Sequence, residues 1–211
     1  RRVLFRSIRF IVAFAPGAST DIVARIVGAK LSESWGQNVV IENRSGAGGN
    51  IGTQAAARAN PDGYTILMNS SAFVVNLSLY AQPGYTAADF VPVLQGPTSP
   101  NLISVHPSVK ATTLQEVIAF ARAKPTSYGS SGTGTTPHLD AERLKIAAGI
   151  KVAHVSHNGA GPAIQALLAD TVQVGCTSLP PAHAHIAGAK LKALAVTGAK
   201  RWHDQIGRAQ V

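Results

Sequence analysis

Cysteines, aromatic residues and charges are scarce in this 211-residue sequence, which has one cysteine, 6% aromatic and 14% charged residues. The single cysteine, Cys176, cannot form an internal disulfide. Because it follows the strand-like run 171–175, we expect it to be a small buried apolar residue. So low a cysteine count fits either redox compartment. No apolar run approaches the roughly 20 residues that span a bilayer.

The net charge of +9 raises the question of a nucleic-acid partner. The basic residues neither cluster on one predicted helix nor alternate with aromatic residues, as a nucleic-acid groove requires. The sequence therefore predicts no nucleic-acid partner. A basic chain also fits the capture of an anion, so the charge alone decides little.

Hydrophobic residues make up 45% of the chain, with 20 glycines and 12 prolines, which is typical of a loop-rich α/β protein. Short apolar runs that predict strands alternate with longer amphipathic runs that predict helices. The predicted strands are 8–14, 39–41, 64–68, 102–105, 127–128, 152–155, 171–176 and 191–196. A first helix is predicted from residue 19 or 20 to about 35, and an Ala-rich second helix follows the glycines of 46–49 and ends near residue 59. Further helices are predicted at 113–123, 137–148 and 161–168. This alternation indicates parallel sheets flanked by helices.

The strand–helix alternation restarts near Asn101, which predicts two lobes joined by a hinge near residues 95–102. We expect the first α/β lobe over 8–98 and the second over 99–198. Each is predicted to be a mostly parallel sheet flanked by helices.

The two ends of the chain are related in an unusual way. Codons that encode residues 4–7 give Gln205 to Arg208 when they are read on the opposite strand. Such a relation is typical of an adapter remnant, so residues 1–7 and 205–211 are predicted to be non-native. Different codons in the coding DNA would overturn this prediction.

Three predicted strand-to-helix junctions combine glycines with hydroxyl side chains: 16–21, 129–134 and 156–161. Backbone N–H groups at a helix start lack intrahelical acceptors, and together with the helix dipole they favour an anion. Loops at the carboxyl ends of parallel strands gather at one crevice. The sequence thus predicts a carboxylate or phosphate site, although each loop could also be only a tight connection. Asp21 could receive a ligand hydroxyl or amine, or it could stabilise its own helix.

Other chemistries have weaker support. The glycines of 46–52 are spaced G-x-G-x-x-x-G after the second strand, which does not match a dinucleotide fingerprint. Neither Ser130 nor Ser131 lies in a G-x-S-x-G motif, and no spacing orients a catalytic triad. A small α/β hydrolase using Ser131 and a histidine remains the alternative. The seven histidines show no metal-ligand spacing, so no metal, cofactor or catalytic residue is predicted.

Long motifs in this chain resemble the Bug (TctC-like) family, the substrate-binding components of tripartite tricarboxylate transporters. Residues 14–25, FAPGASTDIVAR, resemble its first loop. Residues 40–52, 60–65 and 129–139 resemble its next signatures in order. The resemblance covers about residues 8–201.

This resemblance implies a periplasmic receptor with two lobes that close on a small carboxylate and deliver it to membrane permease subunits. It implies a non-enzymatic protein, which we expect to be a monomer. Since the family's chains continue past residue 201, it also implies a fragment lacking its C-terminal part. Carried over by motif, the ligand-binding residues are Gly17, Ala18, Ser19, Thr20, Asp21, Asn69, Ser70, Ser71, Ser131, Gly132, Thr133, Gly134, Thr135 and Thr136. The third junction adds His157, Gly159 and Ala160.

Two positions depart from the family pattern. Ala18 replaces the second glycine of Pro-Gly-Gly, and a positive φ there would cost about 1 kcal/mol or more. Residues 156–159, SHNG, replace Pro-Tyr-Lys-Gly and so lose an aromatic wall and a cation. The sequence predicts the mode of binding but does not name the ligand.

Overall fold

A computed structural model of the chain describes residues 6–198. These residues form two compact units, the first ending at Gly96 and the second beginning at Pro97. Each unit is a sheet with helices, which confirms the predicted α/β fold class. Of the ends predicted to be non-native, all but residues 6–7 lie outside the described part of the chain. Within that part, no helix is both long enough and apolar enough to cross a membrane.

The first unit alternates strands and helices as the sequence predicts, with one addition. The helix Ala72–Leu79 was not predicted, because its run of phenylalanine and valines is typical of a strand. The elements of the first unit are β1 Ile8–Val12, α1 Ser19–Trp35, β2 Val39–Asn43, α2 Asn50–Ala57, β3 Thr65–Met68 and α3 Ala72–Leu79, with short 3-10 helices at Ala47–Gly49 and Ala87–Asp89.

The first sheet is parallel throughout, with β1 between β2 and β3. Phe10, Ile11 and Val12 of β1 are buried, as a central strand covered by helices requires. Because the strands are parallel, the loops that follow β1 and β3 lie at the same edge of this sheet.

Helix α1 packs closely on the sheet through small residues. Its buried positions include Ala24 and Gly28, whereas Ile26 on the apolar face is 63% exposed. A Cβ atom at Gly28 would lie 2.9 Å from Cδ1 of Ile41 in β2. The close approach of helix and strand therefore requires a small residue here.

The second unit has five strands and four helices among its described residues. Its elements are β4 Asn101–Val105, α4 Leu114–Ala123, β5 Ser127–Ser130, α5 Thr136–Ala148, β6 Ala153–Ser156, α6 Ala160–Leu168, β7 Val174–Ser178, α7 Leu179–Ala187 and β8 Lys192–Val196. Helix α7 was not predicted, although Pro180 and Pro181 suit a first helical turn.

The second sheet has the order β6-β5-β7-β4-β8. Strands β5, β6 and β7 are parallel, while β4 is antiparallel to both β7 and β8. The loops that follow β5 and β6 therefore share one sheet edge, and the end of β4 lies at the opposite edge.

Helices cover both faces of the second sheet. Along β4, Leu102 packs in one apolar cluster, and Ile103 and Val105 pack in the other. Alternate residues of a strand point to opposite faces, so a strand covered on both faces is buried along its whole length, as β4 is. Cys176 of β7 is 1% exposed, which confirms that it is a buried apolar residue.

Candidate functional site

The loop between β1 and α1 turns at Gly17, whose φ is +79°. Ala18 has φ −68° and ψ 159°, an ordinary extended conformation. The strain considered for Ala18 is therefore absent, because the left-handed position in this loop is occupied by Gly17.

Asp21 holds this loop from the first turn of α1. Its carboxylate accepts hydrogen bonds from the Gly17 amide at 2.9 Å, from Arg25 Nε at 2.9 Å and from Asn43 Nδ2 at 2.8 Å. Burial raises the pKa of Asp21, but these donors outweigh it and hold the pKa below the ordinary value. The geometry gives Asp21 a positioning role, since its oxygens are already engaged within the unit.

Arg25 and Asn43 complete the same network and were not among the predicted site residues. Asn43 Nδ2 also donates to the Phe14 carbonyl at 3.0 Å, and Arg25 donates to Asn43 Oδ1 at 3.2 Å. The sequence signal was available, because Arg25 follows Asp21 by one helical turn. The Asn43 contact depends on the pairing of β1 with β2.

Thr20 is the polar side chain of this loop that is left without a partner. Its Oγ1 is buried and has no hydrogen bond within the described residues. The N–H groups of Thr20 and Asp21 lie in the first turn of α1, where no intrahelical acceptor exists. This helix start thus offers donors, while the amides of Gly17 and Ala18 are bonded to Asp21 and to the Ala15 carbonyl.

The loop after β3 was predicted to line the floor of the site. Asn69 Nδ2 donates to Thr53 Oγ1 at 2.7 Å, and Asn69 Oδ1 accepts from the Ser70 amide at 2.7 Å. The Ser70 hydroxyl accepts from the Ala72 amide, and Ser71 is exposed. Asn69 and Ser70 thus shape the turn into α3, at the same sheet edge as the first loop.

The loop between β5 and α5 was expected to offer its backbone amides to an anion. In the structure four of these amides are already bonded within the unit. The amides of Gly132, Thr133, Gly134 and Thr135 donate to Ser130 Oγ, Ser156 Oγ, His138 Nδ1 and the Gly132 carbonyl. The free donors expected here are therefore not available at 132–135. The N–H groups of Thr136 and His138 instead lie in the first turn of α5, where intrahelical acceptors are lacking.

Two predicted side chains at this edge have buried polar atoms without a partner among the described residues: Ser131 Oγ and His157 Nε2. His157 follows β6, and its amide donates to the Ser130 carbonyl at 3.1 Å. Burial lowers the pKa of His157, so its imidazole is neutral at pH 7. Gly159 and Ala160 are buried at the start of α6. This loop therefore presents neutral groups where the family pattern has a lysine.

The geometry gives no support to a serine nucleophile. Ser130, rather than Ser131, lies beside a histidine, with Oγ 2.7 Å from His154 Nε2. Ser130 is fully buried, and Ser131 Oγ has no base beside it. Within residues 6–198, no group of three or more histidine, cysteine or acidic side chains could hold a metal ion.

A comparison with known protein families shows which family this chain belongs to. The sequence model of the family described as "Tripartite tricarboxylate transporter family receptor" (TctC) matches residues 23–204. The chain belongs to this family. Its members are receptors of transporters rather than enzymes. Protein BugT of Bordetella pertussis is 36% identical over 93% of this chain and 62% of its own length. The chain spans about 60% of the length of the curated relatives it matches.

Solved structures of similar proteins share the fold. An R. palustris protein solved with adipate is 34% identical, with a TM-score of 0.92 over 98% of this chain and 71% of that chain. MatC from Rhodopseudomonas palustris with bound malate is 26% identical, with a TM-score of 0.86 over 95% and 69%. The periplasmic binding protein BugD is 33% identical, with a TM-score of 0.84 over 93% and 67%. This family and these folds confirm the predicted resemblance.

Proposed function

We propose that this protein is a periplasmic receptor that binds a small organic carboxylate and delivers it to the permease subunits of a tripartite transporter. The observation that carries the proposal is the set of buried polar atoms without partners at predicted site residues, namely Thr20 Oγ1, Ser131 Oγ and His157 Nε2. An unsatisfied buried polar group costs about 1–3 kcal/mol, and a ligand that pairs with it recovers this cost.

Similar proteins support the ligand class. The solved relatives include one protein with adipate and one with malate, both small dicarboxylates. The proposed anchors in this chain are helix starts and neutral side chains rather than lysines or arginines. Helix N-termini bind carboxylates without a cationic side chain.

Ligand binding is tested by calorimetry and thermal unfolding with adipate, malate, acidic amino acids and aromatic acids. A ligand that binds the folded state raises the melting temperature, and the rise continues to grow with the logarithm of the ligand concentration above Kd. We expect at least one dicarboxylate to do so. If no carboxylate in the panel raises the melting temperature, the proposal is wrong.

Two matched threonine variants test the site itself. Thr20→Val removes a hydroxyl at the proposed site, and Thr177→Val removes an equally unpartnered buried hydroxyl from strand β7. We expect Thr20→Val to lower the affinity for the carboxylate by about tenfold or more, because a hydrogen bond to a charged group contributes about 1.5–3 kcal/mol. Thr177→Val should leave affinity unchanged. Equal effects of the two variants would argue against the first loop as an anchor.

Delivery and assembly are separate parts of the proposal. We propose that the receptor is a monomer and that the membrane permease takes up the carboxylate from the ligand-bound receptor. Sedimentation with and without ligand measures the first point. Uptake of labelled ligand by cells that contain the permease, with and without the receptor, measures the second. Unchanged uptake without the receptor would contradict delivery.

A further inference from the structure

Three aromatic rings stack beneath the loop that joins β5 to α5. Tyr128 of β5 stacks on His154 of β6, with ring centroids 4.8 Å apart and planes at 20°. His154 in turn lies against His138 of α5, with centroids 4.4 Å apart. The register of the parallel strands explains the first pair, because Tyr128 is directly opposite His154. The stack fixes the His138 ring from one side.

His138 holds the loop through its other edge. Its Nδ1 accepts a hydrogen bond from the Gly134 amide at 3.3 Å. An amide N–H can donate only to an unprotonated ring nitrogen, so this bond requires neutral His138 with its proton on Nε2. Gly134 has a φ of +86°, a conformation that side chains disfavour, and no Cβ packs it in place. The bond to His138 therefore contributes directly to the conformation of Gly134.

The remaining loop contacts show what this bond stabilises. Ser130 Oγ lies 2.7 Å from His154 Nε2 and accepts from the Gly132 amide at 3.2 Å. Thr135 Oγ1 donates to the Gly132 carbonyl at 2.6 Å. The two histidines are thus bonded to the two halves of the loop, one through Ser130 and one through Gly134. Between these attachment points lies Ser131, whose buried hydroxyl has no partner.

Charged and titratable groups surround the ring pair on several sides. Tyr128 donates its hydroxyl to Glu142 Oε1 at 2.6 Å, and Lys145 donates to the same oxygen at 2.8 Å. Burial is the main cause that lowers the pKa of His138, with Glu142 opposing and Lys145 adding to it. Burial likewise lowers the pKa of His154, to about 4, with His138, Lys145 and His157 adding to the shift and Glu142 opposing it. Both rings are therefore neutral at pH 7.

We infer that His138, supported by its stacking on His154, is a positioning residue that holds the loop 130–136 in its ligand-binding conformation only while its ring is neutral. It does not need to contact the ligand itself. Acid converts Nδ1 from an acceptor into a donor, which breaks the bond to Gly134 and frees the second half of the loop. The consequence for affinity rests on the proposed function, whereas the consequence for the loop does not.

Three variants separate a positioning role from a merely structural one. His138→Gln keeps a side-chain acceptor that does not titrate, and His138→Leu removes the acceptor. His106→Gln is the matched control, because His106 lies at the opposite sheet edge and is bonded to Ser108. For each variant, hydrogen exchange of the Gly134 amide and adipate affinity are measured between pH 7.5 and 4.5. The imidazole nitrogen resonances of His138 report its tautomer in the wild-type chain.

In the wild-type chain we expect an unprotonated Nδ1 at pH 7 and faster Gly134 exchange, beyond its intrinsic pH dependence, as His138 becomes protonated. At pH 7 His138→Leu should show about fivefold faster exchange and about fivefold weaker adipate binding than wild type, as loss of one hydrogen bond predicts. Both differences should shrink as the wild-type ring becomes protonated. His138→Gln should retain both near wild-type values and lose the additional acid dependence. His106→Gln should behave as wild type.

Two results would overturn the inference: a protonated Nδ1 at pH 7, or Gly134 exchange at pH 7 that is the same in wild type and His138→Leu. Adipate binding that is the same in those two proteins would overturn the affinity part. If adipate does not bind the wild-type chain at all, adipate is not a ligand of this protein. The exchange and resonance data then still decide the role of His138.

Discussion

The carboxylate of Asp21 accepts a hydrogen bond from the backbone amide of Gly17 at 2.9 Å, so helix α1 fixes the loop that precedes it. Asp21 is 2% exposed, and each of its oxygens is bonded within the first unit. This contact links the start of the helix to the glycine with positive φ. Bonds within the first unit therefore hold this loop in its conformation.

Replacing Asp21 should destabilise the first unit. Asp21→Ala leaves the Gly17 amide without its acceptor and removes the partner of Arg25 and one of the two acceptors of Asn43 Nδ2. We expect a loss of about 2–4 kcal/mol in the free energy of unfolding. Urea denaturation measures this loss. Glu33→Gln is the control, because Glu33 is an acidic residue on the same helix with a 71% exposed side chain. Its effect should stay within about 0.5 kcal/mol. Equal effects of both changes would contradict the positioning role.

The stability of the second unit should fall in mild acid. In the unfolded chain His154 has an ordinary pKa near 6.5, whereas in the folded chain burial lowers this pKa to about 4. The unfolded state therefore binds the proton first, and the free energy of unfolding decreases as the pH falls from about 6.5 towards 4.

Removing the buried imidazole should reduce this pH dependence. Unfolding of wild type and His154→Gln is compared in urea at pH 7.5 and pH 5. We expect a smaller difference between the two pH values in the variant, with a residual slope because burial also lowers the pKa of His138 and His157. An identical slope in both proteins would show that His154 does not titrate as described.

Two helical glycines of the first unit should respond differently to alanine. A Cβ at Gly52 would lie 2.7 Å from both the Ala13 Cα and the Arg44 carbonyl oxygen, which are backbone atoms that cannot yield cheaply. We expect Gly52→Ala to lower the free energy of unfolding by about 1–3 kcal/mol.

Gly28→Ala is the matched comparison. Its Cβ would meet the end of the flexible Ile41 side chain at 2.9 Å, and alanine gains about 1 kcal/mol of helix propensity over glycine. We expect a change close to zero in urea denaturation. A larger loss at Gly28 than at Gly52 would contradict the packing described for α1 and α2.

The Cys176 thiol should react only when the second unit opens. It is 1% exposed, and burial, together with the nearby Asp140, raises its pKa above the ordinary value. We expect labelling by a disulfide reagent at pH 8 to be at least about a thousandfold slower than in urea, in line with a folding free energy of 5 kcal/mol or more. Rapid labelling of the folded chain would show that β7 is accessible.

Much of the fold was predictable because it depends on local patterns. The helix Ser19–Trp35 begins after a turn at Gly17 and ends at Gly36, which has the left-handed conformation of a helix C-terminus. Both glycines are visible in the sequence. The direction of β4 was not predictable, since its apolar pattern is the same for parallel and antiparallel pairing. The strand after α6 begins at Val174 rather than Thr171, because the helix ends in a turn at Ala169 and Asp170, whose φ is +55°, and the chain bends before it enters the strand.

The sequence by itself determined the family, the glycine-rich loops and the helix starts that suit an anion, since all of these depend on residues close together in the chain. Only the tertiary structure decided how those loops are held. The bond from Asn43 to Asp21 depends on β1 pairing with β2, and the stack of His138 on His154 depends on β6 lying beside β5. Contacts between residues distant in sequence follow from strand order and packing, which local composition does not specify.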